Sequence, residues 1–226
     1  ALRNGLLERA HVLKTHCDTE VLPHLYEEHG AAFPKKIDGM FAVALWDGDG
    51  QVGYLARDRT GKKPLYYCLH DQALYFASEI KSLLQIPGFT RRLNLDALHQ
   101  FLSLKHVPHP LSIFEGIAML PPAHMLTYRA GQEPVVSRYW DLSFAGSDTS
   151  AGMTEEEITD RLLVLLRQGV ERRLLSDVPI GFFLSGGIDS SLSTVLAAEL
   201  SPSKIKSFTL TYSRESTTEG KEEDRR

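Results

Sequence analysis

Residues 178–191 read Val178-Pro179-Ile180-Gly181-Phe182-Phe183-Leu184-Ser185-Gly186-Gly187-Ile188-Asp189-Ser190-Ser191. The apolar first half, to Leu184, has the form of a strand buried in a parallel sheet. The second half holds two adjacent glycines, three hydroxyls and one carboxylate. Behind it, Leu192, Val195, Leu196 and Leu200 fall on one face of a helix. Residues 206–212 supply another strand. Strand, small-residue turn, helix and strand open a doubly wound α/β domain, whose ligands lie at the strand C-termini.

The turn at 184–191 therefore stands where an anion can be held. Gly186 and Gly187 let the backbone approach closely, and successive N–H groups can form a concave nest. The helix start adds unbonded N–H groups and a partial positive charge. Ser185, Ser190 and Ser191 offer hydroxyl donors, and Asp189 can hold a magnesium ion beside phosphates. The competing reading is an ordinary Ser/Gly turn with Asp189 or Ser190 as a helix N-cap; the flanking elements favour the phosphate loop. The pattern departs from Gly-x-x-x-x-Gly-Lys-Ser/Thr and holds no lysine, which disfavours a Walker-type kinase or GTPase. It suits the pyrophosphate part of ATP.

Upstream, Thr154-Glu155-Glu156-Glu157 is a capping box whose glutamates suit the positive end of a helix. Ile158, Leu162, Leu165, Leu166 and Val170 mark its apolar face, to about Leu174. Residues 141–153 are small and polar, the composition of a linker. Before them, 18–132 reads as strands and short turns. A hairpin joins 39–47 to 51–57 across Asp47-Gly48-Asp49-Gly50, a second joins 64–68 to 73–77, and 125–128 makes a further strand. Asp18 or Thr19 can cap a helix over 20–29, with Pro23 one turn in and Gly30 at its end. Asn94 caps a helix over 95–104 whose apolar positions are Leu95, Leu98, Phe101 and Leu102.

The chain has 226 residues, 42% hydrophobic and 24% charged, which excludes a disordered or fibrous protein and suggests one and a half domains at roughly 150 residues each. A net charge of −4 leaves no footprint for nucleic acid or an anionic membrane, and no apolar run is long enough to span a bilayer. Two cysteines are too few for a disulfide framework or a zinc cluster, and a cytoplasmic protein is the expectation. His11, His16, His24 and His29 show no ligand spacing and read as surface residues. The chain opens with Ala1 in what reads as helix and closes on charged residues straight after a strand, which suggests a piece of a longer protein.

Ser-Gly-Gly-x-Asp-Ser resembles the signature of ATP pyrophosphatases, and Asp177-Val178-Pro179-Ile180-Gly181 before it resembles glutamine-dependent asparagine synthetases. Residues 17–21, 38–42, 56–61, 63–67 and 76–81 resemble the glutaminase domain of that family. Leu120-Pro121-Pro122-Ala123-His124 and Tyr139-Trp140 are similar to its inter-domain segment. The resemblance implies an α+β N-terminal-nucleophile glutaminase-like domain, an αββα sandwich truncated at its start, over 1–140. After the linker at 141–153 it implies the start of an α/β ATP pyrophosphatase domain over 154–226. The implied activity is amide formation: aspartate is adenylated with ATP and magnesium, then amidated by ammonia tunnelled from glutamine. The implied partners are glutamine, aspartate and ATP, with no tightly bound cofactor and a parent that is a homodimer.

By the same resemblance Asp18 binds the α-amino group of glutamine. Ser185, Gly186, Gly187, Asp189 and Ser190 form the pyrophosphate loop, while Leu184 and Leu210 contact adenine through main-chain groups; burial in a strand is the plain alternative for both leucines. Arg57-Asp58-Arg59 reads as a structural ion-pair cluster and Cys68 as a core residue. The departures are as informative. Ala1 offers no thiol or hydroxyl beside a free amine, so no catalytic residue for glutamine hydrolysis is present, and the chain as it stands is expected to release no glutamate from glutamine. Cys17, beside a helix cap, is no substitute. The family's Arg-Leu segment, its Asn-Gly-Glu-Ile-Tyr-Asn loop, and its downstream second Ser-Gly segment, glutamate and lysine are missing. Two alternatives stay open: a β-lactam synthetase or other amide-forming relative with a different acceptor, and a non-catalytic remnant.

Overall fold

The computed structural model describes residues 2–144, 150–176 and 178–211, and the chain divides into two units, Ala1–Phe144 and Ala145–Arg226. Asp177, Tyr212, the stretch 217–226, Ala1 and the middle of the linker lie outside the described residues.

The first unit contains α1 (Leu2–Glu8), α2 (Val21–His29), β1 (Ala42–Asp47), β2 (Val52–Arg57), β3 (Tyr66–His70), β4 (Ala73–Ala77), α3 (Ile80–Leu83), α4 (Leu95–Leu104), β5 (Ala118–Met119), β6 (His124–Tyr128) and β7 (Val135–Arg138). Its strands form two antiparallel sheets, β1-β2-β6-β7 and β4-β3-β5. Period-two alternation along the strands sorts side chains into separate cores. Val52, Tyr54 and Ala56 of β2, with Met125 of β6, pack with Leu6, Leu25 and Phe33 from the helical side. Leu55 and Leu126 point the other way and join Tyr67 and Leu74 of the second sheet, with Leu65 and Leu120 at the ends of its strands. Cys68, Tyr66 and Tyr75 on that sheet's far face meet Leu83, Ile80 and Leu84 around α3. Helices, sheet, sheet and helix are therefore stacked in four layers, the αββα order expected from the sequence.

The first hairpin pairs Ala42 with Arg57 through Asp47 with Val52. Its turn is closed by Asp47, whose Oδ1 accepts from the N–H groups of Asp49 (3.0 Å) and Gly50 (2.9 Å). The Tyr26 hydroxyl donates to the other carboxylate oxygen at 2.6 Å and ties α2 to this turn. Gly30 ends α2 at φ +53, as its position suggests. Pro23 sits in the first turn, where an amide has no intrahelical partner to lose. Two sequence expectations fail. Asp18 and Thr19 do not cap α2; residues Asp18–Glu20 form a 3-10 turn, and α2 follows with no side-chain cap. The apolar positions of α4 do not face a core: Leu95 and Leu102 are over 70% exposed and only Ala97 is buried. Asn94 does cap α4, accepting from Ala97 N–H at 3.1 Å.

The second unit contains α5 (Glu155–Glu171), β8 (Gly181–Phe183), α6 (Ile188–Leu200) and β9 (Lys206–Phe208), with β8 and β9 parallel. The capping box is present: Glu157 N–H donates to Thr154 Oγ1 at 3.2 Å and Thr154 N–H to the Glu157 carboxylate at 2.7 Å. Arg167 on α5 pairs with Glu199 on α6. β8 is shorter than the apolar run 178–184 and is not buried: Phe183 is 84% exposed. A parallel strand is buried only when both sheet faces are covered. Among the described residues of this unit, Leu196 and Ala197 alone are buried.

Candidate functional site

The loop between β8 and α6 is built by local chemistry. Gly186 has φ +90, a conformation that a side chain with Cβ resists, and it turns the chain out of the strand. Gly187, extended at φ −75 and ψ 160, is the N-cap of α6 and supplies no side-chain cap, so neither Asp189 nor Ser190 has that role. Ser190 instead folds back, its hydroxyl donating to the Gly187 carbonyl at 3.1 Å. The same oxygen accepts from Ser185 N–H at 3.3 Å and lies 3.1 Å from Ser185 Oγ. Two hydroxyls thus close the loop across five residues. Asp189 stands in the first turn of α6 and is exposed.

The strand ends fix where this loop opens. Leu184 N–H donates to the Phe208 carbonyl at 2.9 Å, and Thr209 Oγ1 donates back to the Leu184 carbonyl at 2.8 Å. The loop therefore leaves from the C-terminal end of a parallel pair, where α6 begins with first-turn amides that have no intrahelical acceptor. Leu184 is half-buried, whereas Leu210 is 76% exposed. Simple strand burial does not explain Leu210, contrary to the plain alternative, because the strand stops at Phe208.

In the first unit Asp18 is exposed, and its Oδ1 accepts a long, 3.8 Å contact from Cys17 Sγ. Glu20 sets the geometry of this segment. Its carboxylate accepts from Lys14 N–H (2.5 Å), Thr15 N–H (2.9 Å) and Thr15 Oγ1 (2.8 Å), with Arg3 at 3.5 Å. Partial burial opposes its charge, but these donors win and hold the carboxyl down to about 2. Glu20 carried no signal in the sequence beyond its place in the helix start.

The Arg57-Asp58-Arg59 cluster is structural, but it is not the ion-pair cluster expected. Arg57 donates to the carbonyls of Lys63 (2.8 Å), Leu120 (2.7 Å) and Gly61 (2.6 Å). Asp58, fully buried, accepts from the N–H groups of Phe41, Thr60, Lys62 and Lys63 at 2.9–3.3 Å. Burial raises its carboxyl, and those four donors more than offset it, leaving it below the usual range. Arg59 lies over the Trp140 ring at 5.3 Å. Cys68 is 2% exposed and burial pushes its thiol up, which fits a core residue. The histidines are the larger correction: His11 and His24 converge, with Nδ1 atoms 3.1 Å apart.

Among the described residues no helix is long and apolar enough to cross a membrane. A glutamine amidotransferase domain family matches residues 1–140, and an asparagine synthase family matches 161–225. Asparagine synthetase [glutamine-hydrolyzing] 1 of Bacillus subtilis is 33% identical over 214 residues, 95% of this chain and 33% of the relative. Amidase chyE of Penicillium rubens is 33% identical over 215 residues, 88% of this chain and 31% of the relative. A solved glutamine phosphoribosylpyrophosphate amidotransferase from B. subtilis covers 92% of this chain and 42% of its own at 16% identity and TM-score 0.41. The chain spans about a third of the length of these curated relatives. By the match over residues 1–140, most of its length, the chain belongs to the glutamine amidotransferase domain family, with an asparagine synthase match behind it.

Proposed function

We propose that this chain supplies the glutamine-binding half and the nucleotide loop of an ATP-dependent amide-forming ligase that takes its nitrogen from glutamine and makes asparagine from aspartate. The observation that carries the reading is the loop at 185–190: a glycine at φ +90, two hydroxyls and open first-turn amides at the C-terminal end of a parallel strand pair. ATP, when bound, converts a carboxylate into an acyl group with a good leaving group. The chain's own part is to hold the pyrophosphate. The N–H groups of Gly186 and Gly187 and of the first turn of α6 would donate to it, together with Ser185 and Ser190. Asp189, exposed beside them, has the hard oxygen donor that magnesium prefers and would carry the ion on the phosphates. Main-chain groups of Leu184 and Leu210 would face the adenine.

Asp18 would take the α-ammonium of glutamine as an ion pair, with Glu20 fixing the backbone beside it. Its exposure leaves the carboxylate accessible to an amino acid. Domain limits of 1–140 and 154–226 joined by 141–153, a cytoplasmic location and a homodimeric parent belong to the same reading. The match to an amidase supports a second reading, in which the same two domains serve a different carboxylate acceptor.

The test is calorimetric titration of the chain with magnesium ATP and, separately, with glutamine. Asp189→Ala is expected to weaken ATP at least tenfold and leave glutamine unchanged; Asp18→Ala is expected to do the reverse. Equal ATP affinity in Asp189→Ala and the parent sequence would remove the loop assignment.

A further inference from the structure

We propose that His11, His24 and Glu27 form a binding site for a borderline divalent transition metal of the zinc class. His24 and Glu27 lie one turn apart on α2, and His11 comes from the connector after α1, where its N–H donates to the Leu6 carbonyl at 3.1 Å. The three candidate ligand atoms are mutually close: His11 Nδ1 to His24 Nδ1 is 3.1 Å, His24 Nδ1 to Glu27 Oε2 is 3.2 Å, and His11 Nδ1 to Glu27 Oε2 is 3.5 Å. Ligands about 2.0–2.1 Å from a tetrahedral zinc ion are separated by roughly 3.3 Å. The triangle has that size, and one tetrahedral position is left for water.

The surroundings set the tautomer. His11 Nε2 is 3.0 Å from Glu28 Oε1, so the ring proton belongs on Nε2 and the lone pair on Nδ1 faces His24 and Glu27. That is the carboxylate–histidine arrangement by which proteins orient a metal-binding imidazole. Arg9 pairs with the same Glu28 oxygen at 2.5 Å, and His29 Nε2 lies 3.5 Å from its other oxygen. Glu28 is thereby occupied as an orienting group, and Glu27, 61% exposed, remains the carboxylate ligand. Two imidazoles exclude calcium and magnesium as preferred ions and favour zinc, nickel, cobalt or copper. Occupied, the site would staple the connector that carries Lys14, Thr15 and Asp18 onto α2.

The experiment is titration of the tag-free full chain with zinc chloride by calorimetry, with cobalt absorption as a second readout. One zinc per chain is expected, with four-coordinate cobalt giving intense visible bands. Thermal midpoint should rise by about 5–10 °C at a hundredfold excess over Kd. His24→Gln, half-buried, and Glu27→Gln, exposed, should each weaken zinc at least tenfold while keeping the circular dichroism of the parent sequence. Cys17→Ser should leave it unchanged. Absence of stoichiometric zinc binding, equal affinity in His24→Gln, or loss of binding in Cys17→Ser would each overturn the site.

Discussion

Two loops of this chain use nearly the same ingredients to opposite ends. Asp58-Arg59-Thr60-Gly61 and Ser185-Gly186-Gly187-Ile188-Asp189-Ser190 each leave a strand, and each contains glycine at positive φ, a hydroxyl and an aspartate. In the first, the aspartate comes before the turn and its buried carboxylate collects the turn's own N–H groups. In the second, the aspartate comes after the turn, on the first turn of a helix, and is exposed. The first loop carries its own anion and is finished as structure. On the proposed reading the second leaves its helix-start donors to an anion from outside, and order along the sequence, not composition, would then separate a structural knot from a binding loop.

The largest break in this comparison is Asp58→Ala. It removes the buried acceptor of four backbone N–H groups at once and is expected to cost about 3–5 kcal/mol. Both tryptophans, Trp46 and Trp140, lie in the first unit, so urea unfolding followed by fluorescence reads that unit by itself. A loss below 1 kcal/mol would mean that water replaces the carboxylate and the knot is not closed. Gly61→Ala comes next. At φ +68, with a Cβ 2.8 Å from Pro122 Cγ and 3.1 Å from Arg57 Cζ, it should cost about 2–3 kcal/mol in the same assay.

Changes in the second loop should act on ligand rather than on fold. Asp189→Ala is expected to change stability by no more than a surface substitution does, about 0.5 kcal/mol, while weakening magnesium ATP at least tenfold. Strong destabilisation there would make the two loops alike. The smallest effect concerns Glu20. Its carboxyl is held near 2 against an ordinary 4.5, so its contribution is fully present above about pH 4.5 and is lost as pH falls toward 2. Hydrogen exchange at Lys14 and Thr15 N–H should lose protection across that window, and Glu20→Gln should abolish the pH dependence of that protection.

Much of the architecture was legible because local rules agreed with the final fold. The Thr154–Glu157 box, the Asn94 cap, the Gly30 terminus and the Asp47 turn all rest on groups within four residues of one another. The misreadings are long-range. Whether Leu95 or Phe183 is covered depends on which elements pack against it, and periodicity carries no information about that. The partners of Arg57 include the carbonyl of Leu120, 63 residues away, so a neighbouring aspartate looked like its counter-ion. His11 and His24, 13 residues apart, meet only because the connector after α1 returns along α2. Within the loop at 185–190, the glycines and the helix start were readable from residue type. The closing bond between Ser185 and Ser190 was not, since a hydroxyl can turn either way.

The central claim is that one loop holds its own anion and the other awaits one. An amide-resolved NMR titration of the chain with magnesium pyrophosphate tests it most directly. The account predicts saturable shifts at the N–H groups of Gly186, Gly187, Ile188, Asp189 and Ser190, with those of Thr60, Lys62 and Lys63 unmoved. Stationary loop amides, or equal shifts at both loops, would contradict it.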